Sequence, residues 1–294
     1  MNSPTSSEER VRNYYDNLWS VGKEMSHRYL QVGFHFGYYE KGIIKYKEAV
    51  QNMNDYIGRL FGLENGQSLK IFDAGCGIGA TSRYLGKKYP ECHFTGLSLG
   101  TEEIELAKKL QKEQNLKNMI FLSGNYTKTA FPGNSFDDAF AIESVVYAPN
   151  KKDVVNEISR VLKPGGKFVI IDAFLTKDLP SNSFLQNAYM LDLQKRSIPG
   201  FISLQEIRMH LGSAGFSDIV MHDLSKNIMW YYFFGGFFFG FRDLFSLEIK
   251  RLTYRWKTKS DEDADKIMLG SDFIEMLLGA TKKIGYYAIT AIKR

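Results

Sequence analysis

Asp73, Gly75, Gly77 and Gly79 stand on alternate positions of KIFDAGCGIG, residues 70–79, and Cys76 lies among them. An apolar pair, Ile71-Phe72, leads in, and a helix-like stretch from Thr81 follows. Glycine lacks a Cβ, so such a loop takes positive φ and lets a ligand lie against the backbone. The helix that follows offers unpaired N–H groups. A dinucleotide loop spaces its glycines G-x-G-x-x-G; here the third comes one residue early and an acid precedes the loop. Asp73 would repel a pyrophosphate but would accept from an ammonium group or orient the loop. The pattern favours a phosphate-free, zwitterionic ligand.

Three later loops carry further candidates. In HFTGLSLGTEE (93–103), Ser98, the Leu99 backbone or Glu103 could hold a ribose; Glu103 equally suits the first turn of a helix. In SGNY (123–126), Asn125 could face an adenine amino group with Tyr126 against the ring, or serve as a turn asparagine. In AIESVVYAP (141–149), Glu143 ends a buried strand, where an acid is costly without a partner or a task. LKPGG (162–166) reads as a helix stop and turn.

The elements that position these loops alternate. Strands are expected at Leu69–Asp73, Cys92–Ser98, Met119–Ser123, Phe136–Ile142, Lys167–Ala173, Ser217–Asp223 and Gly285–Ile292. Helices are expected at Thr81–Lys88, Glu102–Asn115, Lys152–Leu162 and Leu204–Ala214. Such alternation predicts an α/β fold, a doubly wound, mostly parallel seven-stranded sheet covered on both faces. Ligands of such sheets sit beyond the carboxyl ends of the strands, where strand order reverses. Upstream, helical patterns run from Glu9 to Leu30 and from Ile43 to Leu63, around a glycine-punctuated aromatic loop, GFHFGYYEKG. This divides the chain into a helical cap (1–66), a core (67–223), a lid insertion (224–284) and a final core strand (285–294). Residues 1 to 8 read as disordered.

Among 294 residues, 38 basic and 33 acidic side chains leave a net charge of +5. No basic block stands alone, which argues against a nucleic-acid partner. Two cysteines, Cys76 and Cys92, form no disulfide framework or zinc site. The N-terminus lacks the apolar core of a signal peptide, and a cytoplasmic location is expected. Aromatics crowd into MWYYFFGGFFFGFRDLF (229–245). Its apolar part is shorter than the roughly 20 residues of a spanning helix. A greasy pocket wall is expected, with peripheral membrane contact as the alternative. The exposed aromatics and N-terminal helices would suit a homo-oligomer.

DAGCGIG, GLSL, SGNY and RVLKPGGKF together resemble class I S-adenosylmethionine-dependent methyltransferases. The resemblance covers about Leu69 to Ala173 and implies a Rossmann-like fold and S-adenosylmethionine as cofactor. It places Tyr15, Asp73, Gly75, Cys76, Gly77, Gly79, Ser98, Leu99, Glu103, Asn125, Tyr126 and Glu143 at the cofactor. A narrower resemblance, to the sterol and isoprenoid C-methyltransferases, rests on AIESVVYAPNKKDVVNEISRVLKPGGKFVIIDAFLT, on GFHFGYYEKG and on GATKKIGYYAITAIKR. Tyr147 stands where a histidine is common in the sterol enzymes.

The expected reaction is methylation of an alkene carbon in an apolar acceptor. The resulting cation would be stabilised by Glu143 and by aromatic faces, with Tyr147 orienting Glu143 or relaying a proton. Phe34, His35, Phe36, Tyr39, Trp230 and Tyr231 would line the acceptor pocket and exclude water. The alternative is O- or N-methylation of a polar metabolite, with His35, His210 or His222 as base. No residues have metal-ligand spacing, so no metal is expected.

Overall fold

The computed structural model describes residues 7–21, 35–177, 193, 197–231 and 283–294. Seven strands form one sheet: β1 Lys70–Ala74, β2 His93–Ser98, β3 Met119–Ser123, β4 Asp138–Ile142, β5 Lys167–Leu175, β6 Phe216–Asp223 and β7 Ile284–Lys293. Their order is β3-β2-β1-β4-β5-β7-β6. Only β7 runs against its neighbours, between β5 and β6. β1 pairs with β2 on one side and β4 on the other. Strand order therefore reverses there, and the crevice lies beyond Ala74 and Ile142.

The helices are α1 Ser7–Val21, α2 Tyr46–Phe61, α3 Ala80–Lys88, α4 Thr101–Glu113, α5 Lys151–Val161, α6 Leu204–Ser213 and α7 Ser225–Tyr231. Ile71 and Phe72 show how the sheet is covered twice. Successive strand residues face opposite ways, so Ile71 joins Met53, Ile57, Leu85 and Ile104 from α2, α3 and α4. Phe72 joins Val154, Ile158, Ile207 and Leu211 from α5 and α6. Each such fully buried side chain contributes about 1.5–3 kcal/mol. α2 buries Ala49, Val50, Met53 and Ile57 at helical spacing and stops at Gly62, whose φ is +71°.

The strand expected from Phe136 begins at Asp138 instead. Phe136 is diverted: its N–H donates to the Val161 carbonyl, and it bridges to Leu162. The aromatic loop lies flat on α2 at Gly37, where a Cβ would come within 2.5 Å of the Ala49 Cβ. Tyr38 N–H donates to the Ala49 carbonyl. Tyr39 then exchanges bonds with Asn227 of α7: its N–H donates to the Asn227 carbonyl, and the Asn227 amide donates to the Tyr39 carbonyl. The loop is thereby clamped between α2 and α7. No helix among the described residues is long and apolar enough to cross a membrane.

Candidate active site

A cavity of about 810 Å³, counting its open mouth, occupies the crevice at the reversal of strand order. Its floor is the glycine loop. Gly75 and Cys76 N–H both donate to the Leu97 carbonyl, which folds the loop over the end of β2. Gly75, Gly77 and Gly79 have φ of +91°, +50° and +69°. A Cβ on Gly75 would come within 2.3 Å of Ser144, and one on Gly79 equally close to the Phe121 ring. Gly77 has only the Glu103 carboxylate nearby, at 3.5 Å from such a Cβ. Gly77 thus opens the loop toward the ligand, whereas Gly75 and Gly79 are demanded by packing.

Asp73 does not reach the cavity wall. It is buried beneath the loop and accepts from the Ser82 hydroxyl at 2.6 Å. Its Oδ1 has no partner, and burial raises its carboxyl from the usual range to about 7. Of the two readings of Asp73, partner of an ammonium group or orienter of the loop, the Ser82 bond supports the second: it braces the loop against α3. Gly79 is likewise off the wall.

Along the β2 side, the Ser98 hydroxyl donates to Glu103 at 2.8 Å, and Ser98, Leu99, Gly100 and Glu103 all line the cavity. Glu103 is a buried acid on the first turn of α4, at the cavity wall. Tyr126 lines the cavity and donates its hydroxyl to the Ser144 carbonyl at 2.6 Å. Asn125 does not line it. Its Oδ1 accepts from the Thr127 N–H and hydroxyl, both at 2.8 Å, and its amide donates to Glu8. It is a turn asparagine that also ties α1 to the third loop. α1 covers the cavity with Val11, Arg12 and Tyr15, and the Tyr15 ring packs edge-on against Tyr147 at 5.3 Å.

Glu143 follows β4 with a left-handed φ of +48°, uncommon for a side chain with a Cβ. Its N–H donates to the Ile171 carbonyl, and the residue lines the cavity. Oε1 accepts from two donors, the Phe36 N–H at 2.7 Å and the Tyr286 hydroxyl at 2.6 Å. Tyr147 is expected to orient Glu143 or relay a proton; a hydroxyl donor that the sequence did not point to is Tyr286, from β7. Tyr147 stands on the cavity wall in a short 3₁₀ turn, Val145–Tyr147. A buried pair grips this turn. Asp172 accepts from the Val146 N–H, and the Lys151 ammonium donates to the Val146 and Ala148 carbonyls. Burial raises Asp172 to about 7 and lowers Lys151 to about 8.

Of the expected acceptor-pocket residues, His35 lines the cavity. The Phe36 ring instead packs edge-on against Tyr286, at 5.5 Å, and Tyr39 is buried at the α7 clamp. Phe34, the side chains of Trp230 and Tyr231, and the aromatic segment from residue 232 lie outside the described residues. His210 and His222, on α6 and β6, are off the wall. His35 is held neutral by burial, with its Nδ1 at the Phe36 carbonyl and its Nε2 beside Asn54 and Thr81. Sequence reasoning missed Tyr286, Ser144 and Thr81. Thr81 had a usable signal, the first turn after a glycine loop; Tyr286 had none. No three His, Cys, Asp or Glu residues group as a metal site among the described residues.

S-adenosylmethionine fits this donor set. The positive-φ Gly77 admits close approach, the Ser98–Glu103 acid suits a ribose diol, and Leu99, Tyr126 and Ile142 offer apolar walls for a base. Comparison with known proteins agrees. Residues 72–170 match the family described as a methyltransferase domain. The chain is 30% identical over 230 residues to sterol 24-C-methyltransferase ERG6A of Gibberella zeae, covering 76% of this chain and 58% of that protein. It is 32% identical over 205 residues to ERG6 of Saccharomyces cerevisiae, covering 68% and 52%. The chain thus spans little more than half the length of these curated relatives. Among solved structures, the fold is shared with geranyl diphosphate C-methyltransferase of Streptomyces coelicolor, at 16% identity and a TM-score of 0.71 over 100% of both chains. It is shared equally with the [4+2]-cyclase SpnF, at 18% identity and a TM-score of 0.74, covering 100% of this chain and 98% of that one. Residues 72–170 of this chain are thus a methyltransferase domain with the Rossmann-like fold of the class I enzymes, similar in sequence to the sterol 24-C-methyltransferases.

Proposed function

We propose that the protein methylates an alkene carbon of an isoprenoid or sterol-like acceptor. When bound, S-adenosylmethionine supplies an electrophilic methyl group on a sulfonium, and attack by a π bond leaves a cation on the acceptor. The observation that carries the reading is Glu143, a residue of the cavity wall held at a left-handed φ, with its carboxylate fixed by the Phe36 N–H and Tyr286 hydroxyl. A preorganised anion stabilises developing positive charge without reorganising. The wall agrees in sign. Among its described residues it carries the acids Glu103 and Glu143 against one cationic side chain, Arg12. Tyr15, Tyr126 and Tyr147 present aromatic surface that stabilises a cation and excludes water. A proton leaving the acceptor would pass to the Glu143 carboxylate.

O- or N-methylation finds less support. His35 has both ring nitrogens engaged, and the other two candidate bases lie off the cavity. The same reading carries a cytoplasmic, membrane-peripheral enzyme of terpenoid biosynthesis that assembles with itself. Cell fractionation, vesicle flotation and light scattering test those attributes. The reaction is tested by incubating the protein with methyl-labelled cofactor and a panel of unsaturated sterols, linear prenyl compounds, phenols and amines, followed by mass spectrometry. Label on a carbon of a sterol or prenyl compound is expected. Label confined to oxygen or nitrogen would overturn the proposal.

A further inference from the structure

We infer that His35 is a positioning residue for Glu143, acting through the main chain of Phe36. The inference rests on the reading of Glu143 given above. Phe36 is held from two sides: its N–H donates to Glu143 Oε1 at 2.7 Å, and its carbonyl lies 2.9 Å from His35 Nδ1. A carbonyl can only accept, so Nδ1 carries the ring hydrogen. The ring is buried and neutral, which leaves a lone pair on Nε2.

Nε2 stands 3.1 Å from Asn54 Oδ1 and 3.4 Å from Thr81 Oγ1, which are themselves 2.9 Å apart. A lone pair cannot bond to an amide oxygen. As placed, the Thr81 hydroxyl donates its one hydrogen to Asn54 Oδ1, so the Asn54 carboxamide is turned about and its amino group donates to Nε2, or to Thr81 Oγ1 while the Thr81 hydroxyl donates to Nε2. The Tyr46 hydroxyl donates to the His35 carbonyl at 3.2 Å and fixes the residue from a third direction. Asn54 belongs to α2 and Thr81 to α3, the helix that springs from the glycine loop. Two helices thus hold the ring, the ring holds the Phe36 peptide, and that peptide aims one oxygen of Glu143. With both nitrogens engaged, the imidazole orients a neighbour and takes no proton from a substrate.

Two substitutions separate this role from packing and from general-base catalysis. Asparagine places its amide nitrogen where Nδ1 stands; glutamine reaches only the Nε2 position. H35N should retain turnover to within about threefold, whereas H35Q should lose about tenfold or more in kcat with cofactor affinity changed by less than about threefold. H35Q combined with E143Q should be no slower than E143Q alone, because the pair acts as one unit. H35N as slow as H35Q, or multiplicative losses in the double variant, would overturn the inference while leaving the Glu143 reading intact. Normal turnover by E143Q would overturn the Glu143 reading and this inference with it. A readout independent of any acceptor is the nitrogen-15 spectrum of the imidazoles in the intact protein at pH 7. It should show His35 as the Nδ1–H tautomer; an Nε2–H tautomer or an imidazolium would refute the assignment.

Discussion

Tyr286 donates its hydroxyl to Glu143 Oε1 at 2.6 Å, joining the last strand of the sheet to the loop after β4 across 143 positions of sequence. Under the proposed function the two residues act as a unit: one supplies the charge, the other its direction. Glu143→Gln should lower kcat by about two orders of magnitude, as removal of a preorganised electrostatic group does elsewhere, with cofactor affinity nearly unchanged. Tyr286→Phe should cost about tenfold, the scale of one hydrogen bond to a charged group. Steady-state kinetics beside calorimetric cofactor titration checks both. A Tyr286→Phe enzyme with full activity would remove Tyr286 from the site.

The glycines of the loop separate by function. Gly77→Val should abolish cofactor binding in calorimetry, since its side chain would enter the cavity at a φ of +50°. Gly79→Ala should chiefly lower thermal stability, because its Cβ would meet the Phe121 ring at 2.3 Å. Equal affinity in wild type and Gly77→Val would refute the loop as the cofactor cradle.

Asp73 should make stability fall as pH rises. Burial raises its carboxyl to about 7 in the folded protein, above the ordinary value of 3.8. Between those values the folded state binds more protons than the unfolded one, so stability is fully present below about pH 4 and is lost as pH rises to about 7. Asp172 adds to the same window. Asp73→Asn should flatten this slope, as measured by urea unfolding at pH 5 and pH 8. An unchanged slope would show that Asp73 is solvated or paired.

Asn125→Ala should cost about 1 kcal/mol in stability, the worth of a side-chain cap on a turn. Cofactor affinity should shift by less than about threefold. A loss of a hundredfold in affinity would restore Asn125 to the adenine site.

The parallel strands were legible because burial on both faces writes them as short apolar runs, as in Ile71-Phe72 and Val169-Ile170-Ile171. The glycine loop was legible because positive φ restricts residue choice. Asp73 and Asn125 show the limit. An acid before a glycine loop and an asparagine after a strand have the same sequence signature whether they touch the ligand or brace the loop, and only Ser82 and Thr127 decide it. Tyr286 was hidden for another reason: its neighbour in space is set by β7 inserting beside β5, a pairing that local periodicity does not encode. The His35 relay depends on which ring nitrogen bears a hydrogen, which only the Phe36 carbonyl reveals.

β7 lies between β5 and β6, yet it is the last of the seven strands in the chain. During synthesis on a ribosome, the glycine loop and its neighbours emerge long before residues 284–293 do. The growing chain can thus assemble a cradle for the cofactor while Glu143 still lacks its tyrosine. Under the proposed function, chemistry would wait for the last strand to pair with β5 and to bring β6 onto the sheet, a non-local step and so a slow one. Acquisition of activity would then lag behind acquisition of cofactor affinity, and the interval between them would time the closing of the sheet.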